Sequence, residues 1–426
     1  MKHSNTLIQE FVTGTYDHLL TDIYIDSSRI SYQKQRYINA IKQYEEIFGY
    51  GDIEIYSAPG RSEIGGNHTD HQHGEVLAAS INKDAIAVVG KIDIPCVQIV
   101  SGTDNILTIA LDSLNQETKE SGTTLALIKG VLTGMKNRNY SIGGFQAYIT
   151  SDVLIGAGLS SSAAFETLIG TIISGLYNDM KINPVEIAMI GQYAENVYFG
   201  KPCGLMDQMT CSMGNLVHID FENPNQPIVN RINFDMTKHG YSLCIVDTKG
   251  SHANLTPDYA AIPQEMKDVA ACFGKEVLRQ VTREEILDNL NLIRTKVNDR
   301  AALRAIHFYE ENNRVQQEVS ALQSGNITDF LQIVQESGNS SFKYLQNVYT
   351  SNDVARQNIS IALATSDCIL GDKGVSRVHG GGFAGTIQAF VKNEFVNVYQ
   401  KEMNKIFGDG ACAVLSIRKY GGIRVI

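Results

Sequence analysis

The sequence predicts a two-domain α+β protein, and three observations carry the prediction. The chain is 426 residues long, more than one compact hydrophobic core accommodates. Strand-like runs crowd the first 150 residues, a long helical stretch fills roughly 264 to 350, and strands return after 385. This mixture of patterns gives helices and sheets to both parts, and no internal repeat, low-complexity tract or flexible linker marks the border between them. The border is expected near residue 235, giving 1–235 and 236–426, with residues 1–30 as an extension packing on the body.

The elements follow from periodicity. Residues 31–48, SYQKQRYINAIKQYEEIF, repeat apolar positions at helical spacing. IEIYSA, AIAVVGKI and CVQIVS are alternating or β-branched and read as strands, as does GGFQAYITSD. AAFETLIGTIISGLY is a helix, and a second runs from Pro184 through AENVYFG, with Asn183 as cap and Gly200 as stop. YSLCIVDT opens the second part, REEILDNLNLIRTKV and DRAALRAIHFYEENNRVQQEVSAL are helices, and GTIQAFV and CAVLSI are strands.

Composition narrows the function classes. Hydrophobic residues make up 43% and charged residues 19%, an ordinary globular balance. A net charge of −10 argues against a broad nucleic-acid or anionic-membrane surface. No apolar run reaches membrane-span length, and MKHSNTLIQEF lacks a signal-peptide core, which points to a cytoplasmic enzyme. Seven scattered cysteines without a CxxC pair read as free thiols, Cys203 included.

One segment carries chemistry by itself. In VLIGAGLSSSAA (153–164) an apolar run enters Gly156-Ala157-Gly158-Leu159, then Ser160, Ser161, Ser162 and Ala163 open a helix. Glycines let backbone amides converge, and the helix start adds unsatisfied N–H groups and a positive dipole end. Such a turn is an anion cradle suited to nucleotide phosphates; no Gly-Lys-Ser/Thr follows, so it is not a P-loop. A plain Gly/Ser turn before a buried helix has the same local pattern.

Two further segments, APGRSEIGGNHTDHQHG (58–74) and AENVYFGKPCGLMDQ (194–208), join this loop, and together they resemble the three-part signature of galactokinases within the GHMP kinase superfamily. VHGGGFAGTIQAFV (378–391) is similar to that family's second glycine motif and RAIHFYEENNRV (304–315) to one of its helical stretches, so the resemblance spans roughly residues 50–426. It implies a two-domain GHMP kinase fold with the active site in the cleft between domains, and an ATP-dependent sugar 1-kinase, foremost one acting on galactose. The phosphates of ATP are then expected along residues 156–163.

By the same resemblance Asp207 is the catalytic aspartate and Arg61 the arginine beside it, whose fixed charge would keep the carboxylate ionised. Glu195 would hold Mg²⁺ together with Ser161 or Ser162, hard oxygen donors of the kind that ion takes. Asp70 would grip sugar hydroxyls, helped by His68, with Tyr259 near the sugar although YAAI replaces the family's pattern around it. His68, His71 and His73 could suggest zinc, but no cysteine pair completes a tetrahedral set.

The sequence departs from the family at Asn67, where galactokinases have a glutamate toward the sugar's C6 hydroxyl. Asparagine removes a negative charge and adds a donor, so a C6 carboxylate such as that of galacturonic acid becomes a competing acceptor. A non-catalytic sugar and ATP sensor is the reading from another class; it is expected to lack part of the loop or the Arg/Asp pair, and both are present. The expected partners are therefore a small sugar and ATP, in a monomer or weak homo-oligomer.

Overall fold

The structure is a computed structural model describing residues 1–102, 104–153, 158–250 and 255–426. The chain opens with a two-residue strand β1 (Lys2–His3) and three helices, α1 (Ser4–Thr13), α2 (Asp17–Tyr24) and α3 (Ile30–Phe48). Next come two long strands, β2 (Asp52–Gly65) and β3 (Glu75–Lys91), the hairpin β4 (Cys96–Ser101) and β5 (Leu107–Ala110), helix α4 (Thr124–Asn137) and strand β6 (Phe145–Ser151). Helices α5 (Ser161–Asn178), α6 (Pro184–Tyr193) and α7 (Met206–Met213) follow, then strands β7 (Leu216–Asp220) and β8 (Ile228–Ile232). The first sheet runs β1-β2-β3-β6-β4-β5, with β7 also on β3 and β8 on β7.

The sequence read strands only over 53–58 and 85–92, whereas β2 continues through the APGR motif to Gly65 and β3 begins at Glu75. Pro59 and Gly60 look like strand breakers, but the ladder absorbs them as a register shift between Pro59 and Arg61. That irregularity lets Arg61 sit on a strand inside the site.

The two faces of this sheet are covered differently. On one, α1 to α3 bury Phe11, Tyr37 and Ile41 against Ile53, Ile55, Ile86 and Val88, so the extension closes a core of its own. A fully buried ion cluster fastens it: Asp84 on β3 accepts from Arg36 of α3 (2.6 Å) and from Arg418 near the C-terminus (2.9 Å). On the other face, α4, α5 and α6 seat Ile128, Leu168, Ile172 and Ile190 against Ala87, Val89 and Ile149. Each such side chain removed from water is worth roughly 1.5–3 kcal/mol.

The second part is built on β9 (Tyr241–Asp247), β10 (Gly374–Val378), β11 (Thr386–Lys392) and β12 (Cys412–Leu415), ordered β10-β11-β9-β12 and antiparallel throughout. Between β9 and β10 lie α8 (Thr256–Ala271), α9 (Arg283–Asp288), α10 (Leu290–Lys296), α11 (Asp299–Gln323), α12 (Ile327–Ser340) and α13 (Asn358–Leu370), and α14 (Val396–Phe407) follows β11. REEILDNLNLIRTKV is two helices, broken at Asn289, which ends α9 and precedes α10.

Residues 235 and 236 fall between β8 and β9, where the chain passes from one sheet to the other. The last strand, β13 (Ile423–Arg424), returns to the first sheet and pairs with Tyr56 and Ser57 of β2. One apolar cluster bridges both sheets, joining Ile64, Leu77 and Ala163 to Val315, Phe390 and Leu415. Among the described residues no helix is long and apolar enough to cross a membrane.

Candidate active site

Helix α5 starts in the cleft between the two sheets. Ser160, immediately before it, is left-handed (φ 55°), and Gly158 has φ 68°. At Gly158 a Cβ would lie 2.9 Å from Thr386 Oγ1 and 3.1 Å from His379 Nδ1, so only glycine brings this backbone against the second glycine segment. The first turn of α5 carries no acidic side chain, leaving its N–H groups and dipole directed at the cleft. Gly156 and Ala157, expected in the same cradle, lie outside the described residues. Ala163 is fully buried, leaving only its backbone for any phosphate contact.

Facing this terminus, Arg61 of β2 donates from Nε to Asp207 Oδ1 (2.6 Å) and from Nη2 to Oδ2 (2.7 Å). Arg61 Nη1 donates to the Gly158 carbonyl, and Ser160 Oγ to Asp207 Oδ2. Burial alone would raise the Asp207 carboxyl; the Arg61 guanidinium and Ser160 outweigh it and hold the group below the usual carboxylate range. Asp207 is therefore an ionised carboxylate on the first turn of α7, 32% exposed toward the cleft. The cleft has a volume of about 640 Å³, and Arg61, Ser160, Ser161, Ser162, Lys201, Asp207 and Tyr259 all line it.

Behind the serines lies Glu195. The helix expected over 184–200 widens to π-helical geometry at Ala194–Phe199, before Gly200 ends it at φ 82°. Asn183 caps its start, accepting from Val185 N (2.9 Å). Glu195 Oε1 accepts from Ser162 Oγ (3.3 Å) and lies 3.3 Å from Lys201 Nζ; Oε2 accepts from Gln208 Nε2 (2.7 Å). Gln208 also donates to Glu166 Oε2 (3.1 Å), whose carboxyl is pushed well up by burial and then by the Glu195 charge. Glu195 and Ser162 thus present hard oxygens side by side, a donor pair fitting Mg²⁺.

The HTDH segment closes the other end. Burial, with the Asp207 charge adding to it, pushes Asp70 up to about 6. Asp70 Oδ1 accepts from His71 N (2.9 Å), and a Cβ at Gly204 would fall 2.1 Å from Oδ2, so glycine there admits the carboxylate. His68 Nε2 donates to the Gly381 carbonyl (3.0 Å). Burial lowers His68 to about 4 and His71 well below its ordinary value, so both rings are neutral. Tyr259 Oη donates to the Gly382 carbonyl (2.5 Å), its ring edge-on to Phe383.

Asn67 lies among protein partners. It is fully buried, and its amide is committed to the protein: Nδ2 donates to Glu63 Oε1 (3.0 Å) and the Gly380 carbonyl (2.7 Å), while Oδ1 accepts from Asn347 (2.8 Å) and Ser341 (3.3 Å). In this arrangement it ties the HTDH segment to the glycine segment. Glu63 also pairs with Arg377 (2.8 Å), and burial pushes its carboxyl up to about 7.

Sequence reasoning passed over several members of this constellation. His307 donates or accepts at Ser340 (2.9 Å) and donates to the Asn67 carbonyl (2.9 Å), and Glu311 accepts from the Gly66 and Asn67 amides (3.3 Å each). Both lie in RAIHFYEENNRV, and two buried polar residues one helical turn apart were the signal available. Lys201 lay within a quoted motif, the one cation in a stretch flanked by glycine and proline.

A helix start opening on the cleft opposite an arginine-held carboxylate, between two α+β halves, fits a phosphoryl-transferring enzyme of the GHMP kinase class. The family model for the GHMP kinase N-terminal domain matches residues 126–215, and the galactokinase galactose-binding signature matches 42–91. The chain belongs to the galactokinase family of these sugar kinases: it is 31% identical over 363 residues to a galactokinase of Glaesserella parasuis, covering 84% of this chain and 90% of that one. Among solved structures, Lactococcus lactis galactokinase complexed with galactose superposes with a TM-score of 0.77 at 22% identity over 90% of this chain and 98% of that one. Methanococcus jannaschii mevalonate kinase follows the same fold with a TM-score of 0.61 at 17% identity, covering 86% and 99%.

Proposed function

We propose that this protein transfers the γ-phosphoryl group of ATP to the anomeric hydroxyl of galactose, yielding α-D-galactose 1-phosphate and ADP. The observation that carries the reading is the Asp207 carboxylate, held ionised by Arg61 at the mouth of α5. Asp207 accepts the hydroxyl proton or orients the attacking oxygen, and the Arg61 charge offsets charge developing on the phosphoryl group. Gly158 to Ala163 cradle the phosphates through backbone N–H groups and the Ser160, Ser161 and Ser162 hydroxyls.

Glu195 with Ser162, and Ser161 beside it, would hold Mg²⁺. That ion would supply positive charge against the phosphate oxygens. Asp70 accepts ring hydroxyls, with His68 and Tyr259 shaping the pocket; Asn67 acts from behind, fixing where the glycine segment lies. Its neutral amide leaves no charge of its own against a C6 carboxylate, which keeps galacturonic acid as the second acceptor to test.

The test is ADP release from purified protein with Mg-ATP and galactose, galacturonic acid, glucose or N-acetylgalactosamine. Turnover on galactose supports the reading. Turnover on galacturonic acid alone moves it to a uronic acid kinase, and no turnover on any of the four overturns it.

A further inference from the structure

We propose that Lys201 is a catalytic residue of this site, binding the γ-phosphoryl oxygens of ATP through its ammonium group as the group is transferred. The inference rests on the reading above, in which Glu195 and Asp207 flank the transferring phosphoryl.

Charge bookkeeping in the cleft leads to it. Of the described cleft-lining side chains, Arg61 is the other permanent cation, and it spends three donors on Asp207 and the Gly158 carbonyl. His379 lines the cleft as well, but its nitrogens engage Ser62 (3.1 Å) and Thr386 (2.8 Å), and burial lowers it to about 3, so it is neutral. Lys201 has three donors, one of them directed at Glu195. A polyanionic triphosphate entering this cleft therefore meets, beside an arginine that has already committed three of its five donors, a lysine with two of its three still to give.

Position agrees. Lys201 lies in the connection between the π-helical turn holding Glu195 and helix α7 holding Asp207, six residues from each. The side chain is 65% exposed, and its contact with Glu195 is 3.3 Å, a weak pair at such exposure. Moving the ammonium from Glu195 toward phosphate is correspondingly cheap. Lysine, a compact charge on a flexible stem, can follow a phosphoryl group whose oxygens shift during transfer.

The chemistry balances without consuming anything from Lys201. The bond from the γ-phosphorus to the ADP oxygen breaks with its electron pair on ADP, the bond to the sugar oxygen forms, and the hydroxyl proton leaves through Asp207. Lys201 keeps its protons and contributes charge, which a loose transition state rewards.

The experiment uses the full chain with Lys201→Met, which keeps length and removes charge, and Lys201→Arg, which restores charge. Calorimetric titration with ATP and with ADP, in EDTA and without sugar, is the first readout; kcat and KM for ATP are the second. Expected for Lys201→Met is about tenfold to hundredfold weaker ATP binding, the loss for one charged hydrogen bond, with ADP binding within about twofold and kcat reduced. Lys201→Arg is expected to recover most of both. Unchanged ATP binding and kcat, or equal losses for ATP and ADP, would overturn the assignment. Absence of sugar turnover by the unmodified protein would sink the galactose reading, while the ATP-against-ADP comparison would still decide Lys201.

Discussion

Replacing Asp207 by asparagine keeps the side chain's volume while removing its charge, and two consequences follow from the geometry. Arg61 is 8% exposed and donates two of its bonds, 2.6 and 2.7 Å long, to this carboxylate. Breaking a fully buried pair by removing one partner costs about 3–5 kcal/mol. Here Asp207 is 32% exposed and Arg61 keeps the Gly158 carbonyl, so the expected loss of stability is about 1–3 kcal/mol. The catalytic loss is larger: without the acceptor at the attacking oxygen, kcat is expected to fall about 10²–10⁴-fold. Urea unfolding gives the first number and ADP release at saturating galactose and ATP the second, while ATP titration checks that the phosphate cradle still works. Ser160→Ala, which removes one donor to Asp207 and one hydroxyl from the phosphate cradle, is the milder companion and is expected to fold with a smaller loss of kcat. An Asp207→Asn protein that keeps more than about a tenth of wild-type kcat, a loss of only about 1.4 kcal/mol in the barrier, would remove Asp207 from the mechanism.

Three further outcomes are expected. Gly158→Ala places a Cβ at φ 68° and 2.9 Å from Thr386 Oγ1, at a backbone cost of about 1–2 kcal/mol, and KM for ATP should rise more than KM for sugar. Asp70, raised to about 6, must be ionised to accept two hydroxyls, so kcat/KM for galactose should fall as pH drops through about 6. Because its folded value exceeds the unfolded one, ionising Asp70 costs stability as pH rises from about 4 through 6; Asp70→Asn should stabilise the free protein at pH 8 by about 1–2 kcal/mol in urea unfolding while abolishing sugar binding. Asn67→Glu, the change that would restore the family's residue, puts a second carboxyl where the amide now lies 3.0 Å from Glu63 Oε1. Both carboxyls ionise only at a cost in the folded state, so the variant should lose about 2–4 kcal/mol, more at pH 8 than at pH 6. Equal stability of this variant and the parent across that range would show that the buried Glu63 network tolerates a further charge.

Much of the site was legible in the sequence because its chemistry needs contiguous residues. A helix start that binds anions is a local object: glycines before it, hydroxyls at its mouth and helix formers after it are neighbours in the chain. The Arg61 and Asp207 assignments came from motif resemblance, since no local rule joins residues 146 positions apart; the two bonds between them are made by the fold. The strand through Pro59 was not legible, because propensity reads proline and glycine as breaks and only the β3 ladder shows that a bulge absorbs them.

The α+β class, the family and the glycine- and serine-rich helix start were legible in the chain alone. Tertiary structure decided what surrounds each group. It gave Asn67 its partners, because Glu63, Ser341, Asn347 and Gly380 reach it from β2, the turn after α12, the loop beyond and the second glycine segment. It brought His307 and Glu311 beneath the HTDH segment and set Lys201 beside Glu195. The physical reason is the same in each case: hydrogen bonds and charge effects act over a few ångströms in space, and residues distant in sequence acquire that proximity only when the two sheets close around the cleft.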